Sequence, residues 1–259
     1  MQVHPLQGLI AEGRQAFRSR SPWSGAKTAP DVIENRLIER LPNEDRRRLL
    51  ARCDAVELEL SQVLATPGDE IEHVYFPVEG FVSLLTVVSG EVGLEVGMVG
   101  CEGMLGSHLC LGVHAAPLHA LVQGPGTAWR LKVPAFVAEL NRSAALRRQI
   151  SLYIYVLMTQ LATSAGCVRY HEIGPRLARW LLMSQDRAHS STFHMTQEFL
   201  GFMLGVRREG ITEAAGLLQR AGLIEYQRGR LTVIDRIGLE AAACTCYATD
   251  RKSYEQLLL

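Results

Sequence analysis

The spacing of apolar positions changes several times along this chain, and each change marks a different kind of element. From Asn35 to Cys53, Leu37, Ile38, Leu41, Leu49 and Leu50 fall on one helical face, and Leu41-Pro42 joins two short helices. From Val56 to Val133 the segments shorten to strand length. They recur at Val56–Leu64, Ile71–Phe76, Val82–Val88, Val92–Val96, Leu118–Val122 and Thr127–Leu131. Turn signals separate them at Pro67-Gly68-Asp69, Pro77 to Gly80, Ser89-Gly90, Gly97 to Gly103 and Gly124-Pro125-Gly126. Short strands at this spacing predict a β-sandwich or roll. Gly100-Cys101-Glu102-Gly103, followed by Met104-Leu105-Gly106, predicts a turn into a short helix.

Pro134 reopens a helical pattern. Leu146, Ile150, Tyr153, Leu157 and Leu161 form one stripe, with Ile154, Met158 and Ala165 beside it. A helix apolar over so much of its girth must be covered on two sides. Either it is a core helix of one domain, or one stripe packs on the β-domain and the other on a second copy of the chain. Gly166 is the expected end. His171 to Arg187 is amphipathic, with Ile173, Leu177, Trp180 and Leu181 inward, and Ser190 to His194 reads as a loop. Thr196 then caps a short helix reaching Leu204, and Glu198 suits its first turn. After Gly205 and Val206 a second helix spans about Arg207 to Ala221, with Ile211, Ala214, Ala215 and Leu218 inward and Gly222 ending it. Helix, tight glycine turn and helix match a helix-turn-helix. Leu223–Tyr226 and Leu231–Ile234 flank Gln227-Arg228-Gly229-Arg230, which predicts a β-hairpin and makes the unit a winged helix.

The chemistry of this unit suits DNA. A second helix lying in the major groove reads bases chiefly with its N-terminal residues, here Arg207, Arg208 and Glu209. Arginine can donate two bonds to guanine, and glutamate can accept from cytosine N4. The helix N-terminus and the wing pair Arg228 and Arg230 can hold phosphates. Taken alone, Arg207 and Arg208 could be a solvated helix start; the preceding capped helix, Gly205 and the wing favour DNA.

Composition adds constraints. The chain has 259 residues, 47% hydrophobic and 21% charged, enough for a sizeable core and against disorder throughout. The apolar runs Ile154–Met158 and Ala241–Cys244 fall short of the roughly 20 residues of a membrane span, so no membrane partner is expected. Glu12, Arg14, Arg18 and Arg20 leave no apolar core for a secretory signal, and six scattered cysteines suit a reducing cytoplasm. Net charge is zero, but the first 168 residues carry −2 and the remainder +2. Cys53 to Trp129 contains ten carboxylates and no Lys or Arg. Lys occurs only at 27, 132 and 252; the arginine bias suits phosphate and guanine, although high-GC coding produces it too.

Thr196-Gln197-Glu198, Leu204-Gly205-Val206-Arg207-Arg208-Glu209 and Leu218-Gln219-Arg220-Ala221-Gly222-Leu223-Ile224 together resemble the DNA-binding end of the Crp/Fnr superfamily of bacterial transcription regulators. The match extends backwards through that family's order of domains. The resemblance implies an α+β fold: a tail (1–30), a jelly-roll sensor domain of the cyclic-nucleotide-binding type (31–136), a dimerisation helix (137–168), a winged helix-turn-helix (169–250) and a C-terminal tail (251–259). Leu9 and Ile10 could form a short docking helix in the first tail. It implies a cytoplasmic homodimer on a pseudo-palindromic operator in double-stranded DNA, with RNA polymerase as a further partner. The DNA-facing set would be Thr196, Gln197, Arg207, Arg208, Glu209, Thr212, Glu213, Arg228 and Arg230, with Arg208 and Glu209 as the base-reading pair and Thr196 on a backbone phosphate. Glu213 departs from the family pattern, where a basic residue is common. The dimer seam would be Leu146, Ile150, Tyr153, Leu157 and Leu161.

The sensor lacks what a cyclic nucleotide requires. The resemblance places an Arg-Ser pair near Ala116-Pro117-Leu118-His119, where no arginine stands, and burying a phosphate without a cation is costly. An iron–sulfur cluster is also disfavoured, because residues 1–52 hold no cysteine. Cys244-x-Cys246 reads as small buried cysteine, and His108, His114 and His119 as ordinary histidines, so no metal or cofactor is expected. The β-domain is then expected to bind a less charged ligand, a partner protein, or nothing. No nucleophile triad, phosphate loop or zinc-hydrolase pattern suggests an enzyme. The competing reading is a ligand-sensing or interaction module whose winged helix docks proteins.

Overall fold

The computed structural model describes residues 35–89 and 91–258; the N-terminal tail, with Leu9 and Ile10, lies outside them. The chain opens with α1 (Arg36–Glu39) and α2 (Asn43–Leu50), broken at Pro42 as the pattern predicts. Asn35 caps α1, and its amide also donates to Pro77 O at 2.8 Å and Gly103 O at 2.9 Å. This buried side chain therefore fastens the first helix to the sheet.

The strands are β1 (Asp54–Leu58), β2 (Val63–Ala65), β3 (His73–Val88), β4 (Glu91–Val99) and β5 (His119–Lys132). They form one antiparallel five-stranded sheet, ordered β1-β5-β3-β4, with β2 also on β5. The apolar run Val56–Leu64 is two strands. Conversely, the turns expected at Pro77–Gly80 and Gly124–Gly126 do not reverse the chain. β3 and β5 run straight through both sites, 16 and 14 residues long, and their register shifts there. A Cβ on Gly80 would lie 2.2 Å from Gly124 O, and one on Gly126 2.2 Å from Glu79 O. These glycines allow two backbones to approach at a bulge that curls the sheet.

The expected continuous helix from 137 is two helices, α3 (Val133–Arg142) and α4 (Ala144–Tyr170). Ser143 makes the break. Its Oγ accepts from Leu146 N–H at 3.0 Å, capping α4, and donates to Asp45 at 2.6 Å. Gly166 does not end α4, which continues one more turn to Tyr170. With 27 residues, α4 is long and apolar enough to cross a membrane by length and composition alone. Here it lies along the β-roll, with Leu146, Ile150, Tyr153 and Val156 in the core of its own chain.

The C-terminal half contains α5 (Ile173–Ala188), β6 (Thr192–His194), α6 (Gln197–Leu204), α7 (Arg208–Arg220), β7 (Ile224–Gln227), β8 (Arg230–Val233), α8 (Arg236–Ala242) and α9 (Cys246–Leu258). The segment expected as a loop at 190–194 contributes β6, which pairs with β8 to make a three-stranded wing sheet. Residues 251–258 are not a loose tail. They complete α9, which packs on α4 and places Tyr254 and Leu258 in the core beneath the β-roll.

The two domains share one continuous apolar core. Phe81, Leu85, Met98 and Leu121 of the sheet pack in the same cluster as Leu177, Trp180 and Leu181 of α5. Polar bonds cross the same boundary: Trp180 Nε1 donates to Glu95 at 3.0 Å, and Arg187 Nε to Glu102 at 2.7 Å.

Candidate nucleic-acid interface

The Thr196 Oγ1 accepts the Phe199 N–H at 3.1 Å and so starts α6. A hydroxyl used as an acceptor keeps its own proton for another partner, and Thr196 is exposed. Helix α6 stops at Gly205, whose φ of +62° is the left-handed conformation that favours glycine. The turn then folds tightly against Gly201, where a Cβ would lie 2.9 Å from Val206 O. This close approach sets the angle at which α7 leaves.

Ile211, Ala214, Ala215 and Leu218 hold α7 to the core. Its other face presents Arg208, Glu209, Thr212 and Glu213, all exposed, as is Arg207 at the N-cap. Among the described residues, no side chain caps the first amides of α7, which leaves them open to an anion. Thr212 Oγ1 donates to Gln197 Oε1 at 2.6 Å, tying the outer faces of α6 and α7 together. The Gln197 amide nitrogen remains on the same surface.

The wing tip is held beside this surface. Arg228 and Gly229 have φ of +50° and +78°, the pairing that a two-residue hairpin turn uses. Met195 N–H donates to Gly229 O at 2.8 Å, and the Tyr226 hydroxyl donates to Met195 O at 2.8 Å. Burial raises the Tyr226 phenol to about 12, so it stays a donor at neutral pH. The turn carrying Arg228 and Arg230 is thereby anchored next to Thr196, and both arginines are exposed. His194 joins this surface without having been expected there. It lies opposite Arg230 on β6, where reading the segment as a loop conceals it.

The expected dimer seam needs correction. Leu146, Ile150 and Tyr153 are buried within one chain, at 1%, 0% and 0% exposure, so they cannot meet a partner. They belong to the same core as the chain's own β-roll and α9. Leu157 and Leu161 are half-buried and line the sensor cavity. The stripe that α4 leaves open is Ser151, Tyr155, Met158, Ala162, Ala165 and Arg169, all exposed. It steps by alternating four and three residues, which is the spacing of a coiled-coil seam.

Between the β-roll and α4 lies a cavity of about 300 Å³, lined by Leu84, Val99, Leu105, Ile154, Leu157 and Leu161 among others. Among the described residues, no Lys, Arg, Asp or Glu lines it. His108 borders it, its Nε2 without a hydrogen-bond partner among the described residues and its pKa lowered by burial. His114 is exposed and His119 is buried on β5 opposite Leu85.

A helix-turn-helix with an arginine-bearing wing is joined here through a long helix to a β-roll. Residues 175–242 match the family model of the Crp-like helix-turn-helix domain. Among solved structures, a Crp/Fnr-family transcriptional regulator from Thermus thermophilus is 20% identical, with a TM-score of 0.59, covering 73% of this chain and 98% of that one. A Eubacterium rectale protein assigned to the same family is 14% identical, with a TM-score of 0.62 and coverage of 80% and 96%. The c-di-GMP-responsive regulator CLP of Xanthomonas campestris is 14% identical, with a TM-score of 0.60 and coverage of 74% and 99%. At these identities the likeness is one of fold. No curated protein matches the sequence. Residues 175–242 thus carry a Crp-like helix-turn-helix domain, on a fold shared with those regulators.

Proposed function

We propose that this chain is a cytoplasmic, homodimeric transcription regulator that binds a pseudo-palindromic operator. One observation carries the reading. The exposed start of α7, bearing Arg207, Arg208 and Glu209, shares a surface with the free Thr196 hydroxyl proton and the arginine wing. Arg208 and Glu209 read base edges, while Thr196, Arg207, Arg228 and Arg230 hold phosphates. Gln197 and Thr212 flank the reading pair. Glu213 carries no cation for a phosphate and instead restricts which bases the middle of α7 accepts. RNA polymerase is a further partner in this reading.

The dimer seam is the exposed α4 stripe centred on Tyr155, Met158 and Ala162. The effector, where one binds, is an uncharged and largely apolar molecule. A cyclic nucleotide would leave its phosphate without a cation in a cavity that no Lys or Arg among the described residues lines. His108 Nε2 supplies an unpaired polar atom that such a ligand could engage.

The test is footprinting on genomic fragments over a salt series. Phosphate contacts release counterions, so binding should weaken steeply with salt while a protected site stays distinct from bulk DNA. Failure to retain DNA at low salt would favour the competing reading, a winged helix that docks proteins.

A further inference from the structure

Four potential metal ligands converge where α4 meets the DNA-binding domain, and none of them belongs to the α7 surface or lines the sensor cavity. Cys167 lies in the last turn of α4, and His171 is the residue that follows that helix. Cys244 and Cys246 bracket the connection from α8 to α9. Cys167 Sγ lies 3.5 Å from Cys244 Sγ, and Cys246 Sγ lies 3.6 Å from His171 Nδ1. All four ligand atoms fall within 4.8 Å of one another. A tetrahedral ion, with bonds of about 2.3 Å to sulfur and about 2.0–2.1 Å to nitrogen, places its ligand atoms about 3.5–3.8 Å apart. The two separations of 3.5 and 3.6 Å match edges of such a tetrahedron. Among the described residues, this is the only such gathering of three or more His, Cys, Asp or Glu side chains.

We propose that Cys167, His171, Cys244 and Cys246 form a tetrahedral site for a thiolate-seeking divalent cation of the Zn²⁺ type. Three sulfurs and one imidazole are a donor set that selects Zn²⁺ over oxygen-seeking cations. Three thiolates around a divalent ion leave one net negative charge. Arg176 and Arg179 line one pocket with Cys167, Arg179 while paired with Asp250 at 2.6 Å, so a cationic surface adjoins the site. Cys167 and Cys244 are buried, whereas His171 and Cys246 are half-exposed and give the ion a path in.

The location gives the site a consequence. Helix α5 begins two residues beyond His171, and α9 begins at Cys246. A bound ion would fasten the end of the long helix to both ends of the segment that holds the winged helix. The proposal does not depend on DNA binding and can be tested apart from it.

The experiment is titration of the reduced, full-length protein with Co²⁺, read by absorption, and then displacement by Zn²⁺. About one equivalent per chain should bind with thiolate-to-cobalt charge-transfer bands and the ligand-field bands of a tetrahedral ion. Cys246→Ser and His171→Ala, both at half-exposed positions, should each weaken that binding and alter the bands, with unchanged circular dichroism. A chelator should lower the Tm of the wild type and not that of the variants. Absence of thiolate bands, or bands unaffected by either substitution, would overturn the site. So would a Cys167–Cys244 disulfide in air with no metal uptake after reduction.

Discussion

The Thr196 hydroxyl accepts the Phe199 amide and still has a proton for a phosphate. Thr196→Ala should therefore cost about 1 kcal/mol of stability through the lost cap. It should also weaken DNA binding evenly across sequences, and Thr196→Ser should restore both in thermal melts and gel shifts. Arg228 sits on the wing and touches no base in this account, so Arg228→Ala should lower affinity without changing sequence preference and reduce the salt slope by about 1. A different residue governs pH. Glu95 projects from β4 against Trp180 of α5, and burial there raises its carboxyl from an ordinary 4.5 to about 7, offset in part by bonds from Ser83 and Trp180 and by Arg187 and Arg179 nearby. The folded state thus holds a proton that the unfolded state releases, and stability falls as pH rises through that window. The wild-type Tm should drop between about pH 5 and about pH 8, and Glu95→Gln should flatten that drop. Parallel curves for the two proteins would contradict this origin.

At the scale of elements, α4 shows what the sequence pattern reveals and what it conceals. Its two apolar stripes are legible, since both Tyr153 and Met158 sit on recognisable helical spacings. Which stripe faces inward is not, because apolarity alone does not distinguish a core from a partner's surface. The structure buries Tyr153 and leaves Met158 at 63% exposure and Tyr155 at 61%. Tyr155→Glu should accordingly yield monomers by sedimentation equilibrium, with operator affinity lost at the same time. A tight dimer that survives this change would move the seam elsewhere. The helix-turn-helix is legible almost residue by residue, because caps and glycines such as Thr196, Gly205 and Gly222 are local signals. The bulges at Gly80 and Gly126 read as turns, because a glycine that reverses the chain and one that admits a neighbouring strand look alike in one dimension. β6 escapes the pattern for a similar reason. Three residues carry no period, and its pairing with β8 is long-range.

Across the whole molecule, the β-roll and the winged helix are joined by buried contacts rather than by a hinge alone. Glu102 and Arg187 are 7% and 5% exposed, and their bond links the turn after β4 to α5. Glu102→Ala would leave a buried guanidinium without its carboxylate and should cost about 3–5 kcal/mol in urea unfolding. In the proposed dimer, a ligand entering the cavity against α4 would press on the helix proposed to carry the seam, and so on the spacing of the two winged helices. Cys167 and His171 lie at the end of that same helix, and only folding brings them to Cys244 and Cys246. No local spacing rule joins residues so far apart in the chain.

Whether α7 reads DNA is the decisive question. The most direct measurement is a footprint of the purified protein on its selected genomic site, wild type beside Arg208→Ala. The wild type should protect two related half-sites about one helical turn, roughly 34 Å, apart. Arg208→Ala should lose about 1–3 kcal/mol of discrimination between that site and random DNA. A variant footprint identical to the wild type would remove α7 from the groove.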